Sequence, residues 1–269
     1  MSDKKTVAII PAAGKGTRLA PFPCAKELFP VGFQDFDVNG DVQPRPKVIS
    51  QYIVEHVVSA GASDVFLILG DGKFDVMSYY GDGHRFGTRM NYLYQERLNG
   101  MPFAIDLAYQ CARDSDVLFG MPDTIIRPEN AFQKAMQQHR ESDSDLTLGL
   151  FPTETPQKFG MVEIDDSNRV LSTIDKPQST HLKYMWGFCC WSASFTELLH
   201  EFCTDNSDVA GELVLGDVFD LALEKGMSVN AACFDDGEYI DIGTAPELSY
   251  ALGKHLIQEQ PGLALRKSA

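Results

Sequence analysis

The chain has 269 residues, 44% of them apolar, which suits one large α/β domain with a sizeable core, with or without a small appendage. Its formal net charge of -15 opposes a general nucleic-acid or anionic-membrane surface, because the long-range field repels polyanions. A few placed cations can still invert the local potential of a cleft for a small anion.

The opening MSDKKTVAIIPAA carries charge and then a short apolar run, but GKGTR follows at once. It is read as a buried first strand, Val7–Pro11, rather than a leader or a span. The glycine turn Gly14-Lys15-Gly16 comes next, then a Pro-studded loop with Arg18 and Lys26. The stretch Gly32–Pro46, rich in Gly, Pro, Asp and Gln, is read as a long loop. From Pro46 to Ala60 the apolar residues Ile49, Tyr52, Ile53 and Val57 fall at helical spacing, and Gly61 supplies a stop. Strands are expected at Asp64–Leu69, Asn91–Gln95, Asp116–Phe119 and Asp145–Phe151, and helices at Met101–Arg113 and Glu129–Arg140. This alternation predicts a Rossmann-like α/β fold, a mixed, mostly parallel sheet with helices on both faces.

After Pro152 the pattern changes. GMVEIDDSNRVLSTIDKP reads as a hairpin turning at Asp166-Ser167-Asn168. A strand Met185–Ser192, a helix near Phe195–Phe202 and a helix Leu213–Lys225 stopped by Gly226 come next. Strands Val229–Phe234 and Tyr239–Ile242 and a helix Glu247–Gln258 complete the series. The expected organisation is a single domain over 1–260, in two halves of about 1–150 and 151–260, with a frayed tail 261–269. Six cysteines with no CxxC spacing read as small buried hydrophobes of a reducing, cytoplasmic protein.

A strand, a Gly-rich turn and a helix can hold phosphates on backbone N–H groups. The dinucleotide fingerprint fails, since Leu19 stands where its third glycine belongs, and the P-loop order is absent. What remains is AAGKGTRL followed by AKELFP. Two cations beside a glycine turn suit a triphosphate, whose charge backbone amides cannot neutralise alone.

The segment resembles the opening of the sugar-1-phosphate nucleotidyltransferases, the nucleotide-sugar pyrophosphorylases, best the thymidylyl- and uridylyltransferases acting on glucose 1-phosphate. The resemblance runs from about Val7 to about Ala251 and implies the nucleotide-diphospho-sugar transferase fold. It implies that Ala13, Gly14, Gly16 and Thr17 cradle the nucleotide, and that Gln95 and Gly100 contact the base. A glutamine amide both donates and accepts, as the imide edge of uracil or thymine requires. Arg18, Lys26 and Lys176 are the implied catalytic cations, Lys176 lying on the sugar phosphate. Gly160, Asp175 and Gly187, in KFGMVEID, IDKP and WGF, are implied at the sugar site. Asp123 of FGMPD and Asp241 of YIDIGT are the implied Mg²⁺ ligands, while Lys47, Glu212 and Asp217 match further family positions.

The implied reaction joins a nucleoside triphosphate to a sugar 1-phosphate and releases pyrophosphate. The resemblance admits a homo-oligomer and implies neither nucleic acid nor membrane as partner. Two other readings stay open: a cytidylyl-, guanylyl- or adenylyltransferase on another sugar phosphate, and a regulatory subunit that binds nucleotide sugars without turnover. An NAD-binding Rossmann protein is disfavoured by Leu19 and the extra cations.

Overall fold

A computed structural model describes residues 4–209 and 211–258. Strand β1, Thr6–Ala12, sends Val7 and Ile9 into one apolar cluster and Ala8 and Ile10 into another. A strand buried on both faces needs apolar residues in both registers, which this run supplies. A hairpin follows, β2 (Pro30–Val38) with β3 (Asp41–Val48), and then helix α1 (Ile49–Ser59), strand β4 (Asp64–Leu69) and helix α2 (Phe74–Tyr80). Strand β5 (Arg89–Tyr94) leads to two short helices, α3 (Met101–Asp106) and α4 (Tyr109–Ala112). Strands β6 (Asp116–Gly120) and β7 (Thr124–Arg127), helix α5 (Ala131–Glu141) and strand β8 (Leu146–Pro152) come next. The second half comprises β9 (Gly160–Ile164), β10 (Val170–Asp175), β11 (Tyr184–Trp191), α6 (Ala193–Asp205), α7 (Leu215–Glu224), β12 (Val229–Cys233), β13 (Glu238–Asp241) and α8 (Ala245–Gln258).

Among the described residues the main sheet has nine strands. Strands β12, β8, β6, β1, β4 and β5 share one direction, and β11 runs against them between β8 and β6. The β9–β10 hairpin joins the first residues of β11, beyond the end of β6. Helices α3, α4, α6 and α7 bury residues such as Ile105, Leu198 and Phe219 on one face. Helices α1, α2 and α5 bury Ile53, Val76 and Phe132 on the other. A third cluster, including Val31, Ile49, Ile125 and Ile240, ties β2, α1 and the two-stranded ribbon β7–β13 together.

The main expectations hold, and several boundaries differ. The stretch Gly32–Pro46 is not a loop: β2 and β3 pair from Pro30↔Val48 to Val38↔Asp41. Asn39 (φ 58°) and Gly40 (φ 92°) both occupy the left-handed region that a two-residue hairpin turn needs. Pro44 and Pro46 survive because β3 pairs on one side only and leaves its other edge free of ladder bonds. The helix expected from Pro46 begins at Ile49 because Pro46–Val48 belong to β3. The helix expected over Met101–Arg113 breaks between α3 and α4. Helix α2 and strand β7 were not anticipated, being 7 and 4 residues long and so too short for a repeating pattern to stand out. The expected tail, 261–269, lies outside the described residues.

Phe188 is fully buried, stacks on Phe132 with ring centroids 4.0 Å apart and covers Gly149. Phe188→Ala should cost about 3–5 kcal/mol of unfolding free energy, read from urea denaturation.

Candidate active site

The parallel strands β1, β4, β5 and β6 end on one edge, and the loops that leave them converge there. This carboxyl edge is where open α/β sheets take their ligands. A cleft of about 490 Å³ is lined by Ala13, Gly14, Gly16, Thr17, Arg18, Lys26, Gln95, Gly100, Asp123, Glu212 and Gly243. It adjoins a second cleft of about 790 Å³, which shares the glycine loop, Lys26 and Gln95 and extends to Cys24 and Lys73. A third, of about 160 Å³, holds Gly160, Asp175, Lys176 and Trp186 and shares Met101 and Glu212 with the first.

Asp123 and Asp241 are brought together by backbone register. The ribbon pairs Asp241 with Thr124, and the Ile242 N–H donates to the Asp123 carbonyl at 2.9 Å. Lys26 comes from a short 3-10 turn, Lys26–Leu28, and its ammonium forms a tight ion pair with the Asp123 carboxylate. Burial alone would lower the Lys26 pKa, but Asp123 first, then Glu27 and Asp241, hold it above the usual lysine value. Asp241 is pushed up to about 7 by burial, then by the Asp123 and Glu247 charges, against the pull of Arg18 and Lys26. Lys158 and Thr244 hold Glu247 in place, donating at 2.7 and 2.8 Å.

Arg18 lies against Gly243. A Cβ added to Gly243 would sit 2.9 Å from the Arg18 Nη2 and 3.1 Å from the Asp241 Oδ2. A side chain there would push the guanidinium from its place between this point and the carboxylate. Gly100 (φ 116°) is more strictly constrained, since a Cβ there would lie 2.1 Å from the Leu213 carbonyl oxygen, a backbone atom. That contact seats Glu212 between the first and third clefts. Gln95 is buried at the end of β5, its N–H bonded to the Leu69 carbonyl at 2.8 Å.

On the other side, β9 and β10 pair Gly160 with Asp175. Lys176 follows at φ 44°, an uncommon left-handed conformation for a lysine, with its N–H on the Phe159 carbonyl. Its ammonium stands 3.5 Å from Asp175, and both side chains are exposed. A Cβ on Gly160 would strike the Trp186 indole nitrogen at 2.3 Å, so the missing side chain leaves room for Trp186 in the cleft wall.

Gly187 does not line these clefts. It is buried against the Tyr239 ring, where a Cβ would sit 2.5 Å from the ring carbons, so its expected sugar contact has no direct geometry; its neighbour Trp186 faces the cleft. Asp217 likewise turns to its own helix, accepting the Val214 N–H at 3.0 Å at the start of α7. Lys47 pairs with Glu55 on α1, over the Tyr52 ring, away from the three clefts. Gly70-Asp71-Gly72-Lys73 and Gly243 were not singled out from the sequence. The first is a glycine turn at the end of a strand parallel to β1, a signal that could have been read.

Among the described residues no group of three or more His, Cys, Asp or Glu could by itself hold a metal. The donor set nevertheless fits a hard cation. Two neighbouring carboxylates, one held well above its usual pKa by burial and then by the acidic groups beside it, leave the other coordination positions to phosphates and water, as Mg²⁺ prefers.

The family model described as nucleotidyl transferase matches residues 7–256. The chain belongs to the nucleotidyl transferase family. A glucose-1-phosphate thymidylyltransferase of Streptomyces griseus is 27% identical over 172 residues, which cover 63% of this chain and 44% of that protein. The match therefore spans less than half the length of that relative. A UTP–glucose-1-phosphate uridylyltransferase of Haloferax volcanii is 24% identical over 237 residues, 88% of this chain and 90% of the relative. In fold, the chain superposes with a TM-score of 0.78 on a crystal structure of a Bacillus anthracis protein in complex with sucrose, provisionally named a glucose-1-phosphate thymidylyltransferase. That match covers 93% of this chain and 95% of the other at 20% identity.

Gly243→Ala should dislodge the Arg18 guanidinium and lower kcat by about tenfold or more, with thermal unfolding little changed. Steady-state kinetics beside a melting curve check both halves of that expectation.

Proposed function

We propose that this nucleotidyl transferase condenses dTTP or UTP with a sugar 1-phosphate, glucose 1-phosphate in the first instance, to give a nucleoside diphosphate sugar and pyrophosphate. The observation that carries the reading is one continuous cleft system. The glycine loop, Arg18, Lys26 and Asp123 line one end, with Asp241 behind them in the ribbon beside Asp123, and Lys176 with Asp175 lines the other. The named substrates of the relatives from Streptomyces griseus and Haloferax volcanii support the choice of base and sugar.

The nucleophile is a sugar-phosphate oxygen. With a second pKa of about 6 it is ionised at neutral pH, so no general base is needed. The obstacle is the approach of two polyanions, and catalysis rests on positioning and charge neutralisation around an in-line displacement at the α-phosphorus. Ala13, Gly14, Gly16 and Thr17 present backbone to the triphosphate, and Gln95 with Gly100 faces the base. Arg18 and Lys26 stabilise the departing pyrophosphate. Lys176 neutralises the incoming sugar phosphate, beside Asp175 and Gly160. Asp123 and Asp241 would hold Mg²⁺, which supplies Lewis-acid stabilisation of phosphate charge. Because the half-buried cleft limits competition from water, each lost cation should be felt strongly.

Turnover is tested by pyrophosphate release over ATP, GTP, CTP, UTP and dTTP against a panel of sugar 1-phosphates. Turnover with dTTP or UTP and glucose 1-phosphate is expected. Turnover confined to other pairs overturns the assigned base and sugar, and silence from folded protein overturns the catalytic reading. Arg18→Ala and Lys26→Ala should each lower kcat by about 10²–10³-fold, far more than they lower stability, by the measure of single transition-state donors, with the greater stability loss in Lys26→Ala, which leaves the buried Asp123 unpaired.

Metal dependence gives a pH signature. Asp241 must be ionised to bind a cation, and its proton leaves only near pH 7. Mg²⁺ affinity should therefore fall as pH drops from 8 to 6, with proton release on binding at the lower pH. Calorimetry in buffers of differing ionisation enthalpy reads both quantities. Asp241→Asn should flatten the pH dependence and weaken binding throughout.

A further inference from the structure

The cleft rests on a buried ion pair that the proposed chemistry does not use. Glu27, the residue after Lys26, is 1% exposed, and its Oε1 accepts from the Lys73 ammonium at 2.6 Å. Lys73, just before α2, is itself only 7% exposed. The other carboxylate oxygen, Glu27 Oε2, is buried without a hydrogen-bond partner. The backbone around Lys26 is tied separately: the Ala25 N–H donates to Asp75 at 2.9 Å, and the Ser50 hydroxyl donates to the Glu27 carbonyl at 2.7 Å. Ser50 is in turn 2.6 Å from the Tyr80 hydroxyl.

These ties hold the main chain of the Lys26 turn whether or not Lys73 is present. What Lys73 alone supplies is a countercharge for a carboxylate next door to the catalytic ammonium. Glu27 already exerts an attraction on Lys26, second only to that of Asp123 among the acidic groups around it. A buried carboxylate deprived of its partner turns to whatever cation is within reach, since leaving it unpaired is strongly unfavourable. The nearest other cation is Lys26, the chain neighbour that Asp123 and the substrate phosphates need.

We infer that Lys73 is a positioning residue: it engages the Glu27 carboxylate and thereby keeps the Lys26 ammonium directed at Asp123 and the triphosphate. The inference rests on the proposed role of Lys26 and extends it to a residue outside the cations that meet substrate. Lys73 touches no reacting atom and acts through Glu27.

The test compares Lys73→Met, Lys73→Arg, the double variant Lys73→Met/Glu27→Gln and the control Lys26→Ala. kcat, both KM values and the Kd of inorganic pyrophosphate with Mg²⁺ are measured on protein shown to be folded by circular dichroism. Lys73→Met should lower kcat by about 10- to 100-fold and weaken pyrophosphate binding, while the KM for sugar 1-phosphate stays within about twofold. Lys73→Arg should restore kcat to within about threefold of the parent. The double variant, which removes the stray carboxylate as well, should recover most of the loss; a merely structural lysine would not produce that recovery in kcat at fixed fold. Folded Lys73→Met with parental kcat and pyrophosphate affinity overturns the inference, as does a double variant no better than the single one. Should Lys73→Met not fold, the double variant decides alone: kcat within about fivefold of the parent supports the role, and a loss as deep as that of Lys26→Ala overturns it. If Lys26→Ala itself turns over normally, the functional reading of Lys26 has failed, a different result from an active Lys73→Met beside a crippled Lys26→Ala.

Discussion

The ion pair between Lys26 and Asp123 ties together the loops that leave two adjacent parallel strands, β1 and β6. Asp123 follows the central strand β6, and Lys26 follows a Pro-rich loop that leaves β1. Asp123 would otherwise face Asp241 across the ribbon register with little to offset their repulsion. The pair supplies positive charge where the structure needs it and keeps the ammonium where a triphosphate would need it. Arg18, seated over Gly243 beside Asp241, makes the same compromise on the other carboxylate. These cations and carboxylates therefore form one electrostatic unit in which each holds the other, and under the proposed function phosphates and a cation would enter that unit together.

That arrangement explains how an acidic protein can hold polyanions. The charge of -15 is spread over the whole chain, whereas Lys15, Arg18 and Lys26 gather on one short loop. Inside a cleft with low-dielectric walls the near charges outweigh the distant ones, which solvent and salt screen. Net charge speaks against extended polyanionic partners and says little about a small anion on the glycine loop.

The alternating pattern made the sheet and most of its helices legible, because Val7, Ile9 and their neighbours must fill both faces of a buried strand. The β2–β3 hairpin was missed although Asn39-Gly40 is a strong turn signal, since Pro44 and Pro46 argue against a paired strand. They are compatible only because β3 pairs with β2 alone. The motif residues Arg18, Lys26 and Asp123 do come together at one cleft, with Asp241 beside Asp123, whereas the motif glycine Gly187 serves packing beneath Tyr239. The turn that carries Lys73 has a local signal, but the contacts of Gly243 and the Glu27–Lys73 pair were illegible for another reason. Their significance lies in approaches between distant segments, 46 residues apart for the Glu27–Lys73 pair, and no local pattern encodes such a distance.

The two ends of the cleft system are built to different tolerances. At the glycine-loop end, Lys26, Glu27, Lys73, Asp123 and Gln95 are largely or wholly buried and tied by ion pairs or backbone bonds from several elements. At the other end, Lys176 and Asp175 stand exposed at the end of a hairpin, and their mutual contact is long at 3.5 Å. Preorganised cations lose little entropy on meeting an anion, so under the proposed function the buried end would hold transition-state charge at small reorganisation cost. An exposed lysine held at φ 44° by its backbone is fixed in direction but free at its tip. Under the proposed function it would be free to follow an incoming sugar phosphate into line. The rigid buried end and the compliant exposed end would then divide the work of an in-line displacement, one resisting the recoil of the leaving pyrophosphate while the other lets the incoming phosphate find its angle.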